Sequence, residues 1–185
     1  MPALMLLLVN STDACFNRRS LVLAGLFFSW LGDVFLLLES RYPILFIAGL
    51  ASFLITHLCY VVYFLSVKSS ADSLLKKQPV YILLILGYGA GLVWLLFPSL
   101  GDLKIPVILY AAVISTMLLS SLHISRKVTA PANSYFVAGA LLFVLSDSLL
   151  AINKFYQPFA SAGMLIMLTY CAAQFFIVTG FIRKR

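Results

Sequence analysis

Charge is what this 185-residue chain has least of: 10% of its residues are Asp, Glu, Lys or Arg, and only six are acidic. With 63% hydrophobic residues and a mean hydropathy of +1.06, it has too little polar surface to coat a water-soluble globule. Composition alone makes it a membrane protein. Cysteine is scarce and odd in number, at Cys15, Cys59 and Cys171, with no paired spacing, so neither a disulfide framework nor a thiolate metal motif follows. These cysteines read as small apolar packing residues. Also missing are the alternating ten-residue pattern of barrel strands and any long polar linker. The two histidines, His57 and His123, form no His-x-x-x-His or Glu-x-x-His pair, and there is no Gly-rich phosphate loop or Gly-x-Ser-x-Gly elbow. Neither a metal nor a cofactor is expected.

What is present is hydrophobic length. Apolar runs at about 21–38, 44–66, 80–97, 105–125, 135–153 and 159–182 each approach the ~20 residues a helix needs to cross a bilayer. A seventh piece, "PALMLLLV" at residues 2–9, is too short to span at ~1.5 Å per residue, and it lacks the basic start of a signal peptide. Pro2, Pro43, Pro79, Pro98, Pro106, Pro131 and Pro158 all fall at or near the run edges, where a missing N–H costs least. The predicted fold is all-α: a multi-pass bundle of six full spans plus a short N-terminal helix, one membrane domain over residues 1–185.

The basic residues lie outside the spans and are unevenly shared between alternate loops. Arg18, Arg19, Lys68, Lys76, Lys77, Arg126, Lys127, Arg183, Lys184 and Arg185 fall on one side, and only Arg41, Lys104 and Lys154 on the other. The richer side is expected to be cytoplasmic, which puts the C-terminus inside. The net charge of +7 is then a topology signal, and no nucleic-acid partner is expected.

Asp13, Glu39, Asp72 and Asp102 lie in loops, which leaves Asp33 and Asp147 as the carboxyls within the apolar runs. An acid there costs about 2.5–3.5 kcal/mol on insertion scales and is a functional candidate by default. Both host helices run from the cytoplasmic side outward, and each aspartate sits roughly 9–10 Å below its outer end, so the two carboxyls are expected to meet at one depth. "GDVFLLL" and "SDSLLAI" resemble each other locally, a hint of a parallel internal repeat. Other polar residues in the spans are Ser29, one turn before Asp33 on the same face, and His57, Tyr60, Tyr110, His123, Tyr170 and Gln174. His57 and Gln174 lie deeper than the aspartates, and His123 falls near the cytoplasmic end. Paired membrane acids suit an enzyme, a proton-coupled or lipid-moving transporter, or structural glue worth about 1 kcal/mol across a helix interface.

With these residues in place, "GDVFLLL", "FIAGLASFLITHLCY", "VAGALLFVLSDSLLAINKF" and "TYCAAQFFIVTG", in order over residues 32 to 180, resemble the YhhN-like family of membrane proteins, whose characterised members are lysoplasmalogenases. The resemblance implies eight helices, with the family's first one missing here and Met1-Pro2 standing where a Lys-Pro pair is expected in the second. It implies a hydrolase that cleaves the vinyl ether bond of a lysoplasmalogen to a fatty aldehyde and a glycerophospho-ethanolamine or -choline. Asp33 and Asp147, sharing a proton, then become the catalytic pair. Ser29, His57, Tyr60, Tyr170 and Gln174 become candidate substrate contacts, with Lys154 or Arg41 near the phosphate. The expected partners are a lysophospholipid within the bilayer and membrane lipids, and the expected location is a bacterial cytoplasmic membrane.

Overall fold

The structure, a computed structural model, describes residues 1–10, 16–67 and 72–184. Asp13, Cys15, Lys68 and Arg185, which enter the acid, cysteine and charge readings above, lie outside the described residues. The helices are α1 (Pro2–Asn10), α2 (Phe16–Leu38), α3 (Ile44–Leu65), α4 (Leu74–Lys77), α5 (Val80–Leu96), α6 (Lys104–Ile124), α7 (Ala132–Ala151) and α8 (Ala162–Arg183). Among the described residues, six helical segments are long and apolar enough to cross a membrane. They match the six apolar runs of the sequence, and the N-terminal stub is the nine-residue α1. The protein is an all-α integral membrane protein.

The prolines act as helix starts. Pro43, Pro79 and Pro131 are the N-cap residues of α3, α5 and α7, and Pro106 sits in the first turn of α6, where no intrahelical N–H partner is lost. By its contacts the chain divides into two compact units, Met1–Lys68 and Ser69–Arg185.

In the first unit, α2 and α3 form an antiparallel hairpin, with α1 packed on α2. The two backbones come together at Gly25, where a Cβ would lie 2.6 Å from the ring of the buried Tyr60. The Thr56 hydroxyl donates to the Gly25 carbonyl at 3.0 Å. Small residues that let backbones approach, reinforced by an interhelical hydroxyl, are how helices associate when lipid is as apolar as leucine.

In the second unit, α7 and α8 form a second hairpin, α6 packs on α7, and α5 packs on α6. Gly139 plays the corresponding part: its absent Cβ would lie 2.9 Å from the Ala173 carbonyl oxygen and 2.7 Å from Ile177. The α5 span is barely covered by the rest of the described protein and presents side chains such as Leu83 and Trp94 outward.

Two features were not legible beforehand. Lys154 was expected in a loop, whereas the backbone stays helical as a π turn, Ile152–Tyr156, beyond the end of α7. The cause is packing: Phe155 in that turn covers the buried cluster Leu96, Leu100 and Val107 at the α5–α6 connection. The polar segment before α5 also holds the single-turn α4, capped by Ser73, whose Oγ accepts from the Leu75 N–H at 3.2 Å.

Candidate active site

Each expected site residue lies on a helix or its extension. Ser29 and Asp33 stand one turn apart on α2, Ser29 fully buried and Asp33 half-buried. His57 and Tyr60 are fully buried on α3, and Tyr60 is the residue that roofs Gly25. These four belong to the first unit. Asp147 on α7, Tyr170 and Gln174 on α8, and the exposed Lys154 belong to the second.

Within the second unit the structure surrounds Asp147 in detail. The Tyr110 hydroxyl of α6 donates to Asp147 Oδ2 at 2.5 Å. Tyr170, 3% exposed, lies within electrostatic reach of Tyr110 and stacks edge-on against Phe143, one turn before Asp147, at 5.6 Å between ring centres. The flanking serines are engaged as well. Ser146 Oγ donates to the Ile166 carbonyl of α8 at 3.0 Å. Ser148 Oγ accepts from the Tyr88 hydroxyl of α5 at 2.8 Å and donates to the Val144 carbonyl at 2.7 Å. Successive residues on a helix point about 100° apart, so Ser146, Asp147 and Ser148 reach α8, α6 and α5 in turn. The backbone bearing the carboxyl is held from three sides.

Apolar space adjoins this cluster. A cleft of about 520 Å³ runs between α5 and α6, lined by residues including Leu86, Ala90, Trp94, Phe97, Ile108 and Ala112. A second, of about 270 Å³, lies among α5, α6 and α7, with Tyr88, Ser115, Val144 and Leu145 in its wall. Val144 and Leu145 sit one turn below Asp147 and Ser148 on α7. Tyr88, which lines the second cleft and donates to Ser148, links that apolar space to the serine beside Asp147.

Tyr110 was visible in the sequence as a polar residue within an apolar run, but nothing there tied it to Asp147. Tyr88 and Ser148 were not singled out at all. His123, expected at a helix end, lies in the last turn of α6 with its Nε2 2.8 Å from Lys127 Nζ, away from this cluster in the chain.

The family model for the YhhN family matches residues 1–181. The chain belongs to the YhhN family. Among curated relatives, it is 31% identical over 138 residues to a Mycobacterium bovis protein named lysoplasmalogenase, covering 74% of this chain and 51% of that one. It is 34% identical over 144 residues to the Homo sapiens lysoplasmalogenase TMEM86B, covering 77% of this chain and 57% of the relative. The Escherichia coli membrane protein YhhN is 32% identical over 178 residues, covering 95% of this chain and 81% of that protein. The chain thus spans about half the length of the mycobacterial and human relatives that it matches. No solved structure matches it.

Proposed function

We propose that this YhhN-family protein is a membrane hydrolase that cleaves the vinyl ether bond of a lysoplasmalogen, releasing a fatty aldehyde and a glycerophospho-alcohol, with Asp33 and Asp147 as its acid–base pair. The observation that carries the activity is the naming of relatives about 30% identical to it as lysoplasmalogenases. The chemistry fits the residues. A vinyl ether is hydrolysed by protonation at carbon, which makes an oxocarbenium ion, and by addition of water to that ion. One group must begin as an acid and another as a base. A membrane span holding a carboxyl is expensive enough to need a use, and apolar clefts beside α5 and α6 offer room for a single hydrocarbon chain.

The substrate enters from the bilayer in this reading, with its tail among the helices and its phosphate near a basic residue at the outer helix ends, Lys154 or Arg41. Ser29, His57, Tyr60, Tyr170 and Gln174 shape and position it. Purified protein is incubated with a lysoplasmalogen and, separately, with the saturated alkyl-ether analogue. Aldehyde is expected from the first alone, because only the vinyl ether can be protonated at carbon. Absence of aldehyde from both, with the protein folded, leaves the paired acids to a transporter and sinks the hydrolase.

A further inference from the structure

The geometry points to a lipid-binding groove in the α5–α6 cleft, which takes one single-chain phospholipid with its tail along the cleft and its phosphate on Lys104. This deepens the reading above and rests on it for the identity of the ligand as a lysophospholipid; its test reads binding, not turnover.

The cleft of about 520 Å³ exists because small residues line it on both helices, Gly89 and Ala90 on α5 and Ala111 and Ala112 on α6. Its size falls within the ~300–1,000 Å³ of ordinary ligand pockets. Trp94 and Phe97 wall it toward the α5–α6 connection. Near its inner end the helices close up, since a Cβ on Gly89 would lie 3.0 Å from Ser115 Oγ. From Leu86 to Phe97 the lining extends about 16 Å along α5, close to one leaflet of a hydrocarbon core ~30 Å thick. The spans that border it are Val80–Ser99 and Gly101–Ile124, so the Phe97 end lies at the membrane boundary and the Leu86 end lies inside. A lipid is oriented in the same way, with its phosphate at the boundary and its chain running inward. The second cleft shares Ser115 and lies deeper along both helices. The two spaces therefore follow one another in depth, which suits one chain and not a side-by-side pair.

The head end is basic and held in place. Lys104, exposed in the first turn of α6, sets its ammonium 4.8 Å from the centre of the Phe97 ring. An ammonium resting on an aromatic face still has N–H groups to donate, and the acceptor that a lipid brings to that depth is a phosphate oxygen. The connection between the helices is fixed from beneath by the buried Leu96, Leu100 and Val107, with Phe155 of the π turn packed on them. Lys154 precedes Phe155 in the chain, so the same turn brings a second lysine to this end of the unit. Asp102, also exposed, is the acid of the connection. A tail in the cleft would bury apolar surface on α5, the least covered of the spans, while the phosphate meets Lys104; neither contact requires the other unit of the chain.

Trp94 in the cleft wall reports on its own occupant. After Trp30→Phe, Trp94 is the remaining tryptophan. The protein is placed in bilayer discs of diacyl phosphatidylcholine, and the probe is a 1-acyl lysophosphatidylcholine brominated in the upper half of its chain, which has no vinyl ether to cleave. Quenching of Trp94 is expected to saturate with this probe, and a brominated monoacylglycerol, which lacks the phosphate, is expected to need about tenfold more, the effect of one hydrogen bond to a charged group. Lys104→Ala should raise the half-saturating amount of the lysolipid by a similar factor. Ala112→Phe, at an exposed position in the cleft, should remove the saturable component by filling the space. Quenching that rises without saturation, and equally with a brominated diacyl lipid, means surrounding lipid only and overturns the groove. Half-saturation unmoved by Lys104→Ala, or saturation retained in Ala112→Phe, overturns it as well. Saturable binding by a protein that releases no aldehyde from lysoplasmalogen keeps the groove and removes the hydrolase, and aldehyde release with unsaturable quenching does the reverse.

Discussion

The two helical hairpins, α2–α3 and α7–α8, are built on one pattern and finished differently. Each first helix carries an aspartate near its end, Asp33 or Asp147, and an Ala-Gly pair with the glycine eight residues earlier, at Ala24-Gly25 or Ala138-Gly139. Each glycine meets the second helix at close range. The residues facing them there are Thr56 and Ala173, and the next residue in each case is a fully buried polar one, His57 or Gln174. The likeness first glimpsed in seven residues therefore extends across both helices of each hairpin. The difference is at the aspartate. Asp33 stands between Gly32, whose Cβ position lies 2.8 Å from the Phe53 ring, and Val34. Asp147 stands between two serines that hydrogen-bond to other helices, with Tyr110 on the carboxyl itself. The residues that flank the two aspartates thus differ between the hairpins: glycine and valine in one, two serines that hydrogen-bond to neighbouring helices in the other.

The strongest way to break the comparison is to remove each carboxyl. Asp33→Asn and Asp147→Asn keep size and some hydrogen bonding, so packing should survive. If the two act as a unit, aldehyde release should fall by about 10²–10⁴ in either single variant, as for loss of a general acid or base, and the double variant should be little worse. Two folded variants with near-normal rates would falsify the acid–base pair and leave the aspartates as structural groups.

A smaller effect is expected at the matched polar positions. His57→Ala and Gln174→Ala each empty a fully buried site, and activity should drop roughly tenfold through altered pocket shape, with a residual rate and a raised KM. Complete loss at His57, with unfolding behaviour unchanged, would move that residue into the chemistry; a chelator titration would then show whether a metal is involved.

How much of this was legible in the sequence follows from what each signal measures. Apolar length and proline positions fix span limits, so the six spans and the stub α1 emerged directly, and the scarcity of acids within them singled out Asp33 and Asp147. Hydrogen bonds between distant helices leave no local trace. Tyr110 and Asp147 are 37 residues apart and Tyr88 and Ser148 are 60 apart, and an apolar run shows which residues are polar without showing which partner each one meets. The π turn at Lys154 was hidden for the same reason, since Phe155 is placed by a cluster on other helices. The functional name came from relatedness, which periodicity does not encode.

The two glycines sharpen the comparison through stability. At Gly139 an added methyl meets the backbone carbonyl of Ala173 and Ile177, whereas at Gly25 it meets the edge of the Tyr60 ring. A side-chain ring has some freedom to shift and a helix backbone has little. Gly139→Ala should destabilise by about 1–3 kcal/mol, and Gly25→Ala by less. Thermal unfolding in detergent reads the order, and the reverse order would mean that the α7–α8 contact relaxes more easily than its geometry implies.

The last prediction leaves activity untouched and concerns orientation. If the two hairpins repeat one pattern in one direction, the turns that join their helices should emerge on the same side of the membrane. The uneven spread of Lys and Arg makes that side the one opposite the cytoplasm, because alternate loops rich in basic residues stay inside. Ser40 in the first turn and Gln157 after the second hairpin's π turn are both exposed. With Cys15, Cys59 and Cys171 replaced, a cysteine at either position should react with an impermeant reagent added outside intact cells, while one near Lys77 or Lys127 should react only after the membrane is opened. The retained aldehyde release of each variant shows that the protein labelled is the folded one. Labelling of both turns from the cytoplasm alone would invert the chain, and labelling of one from each side would break the directional match between the hairpins.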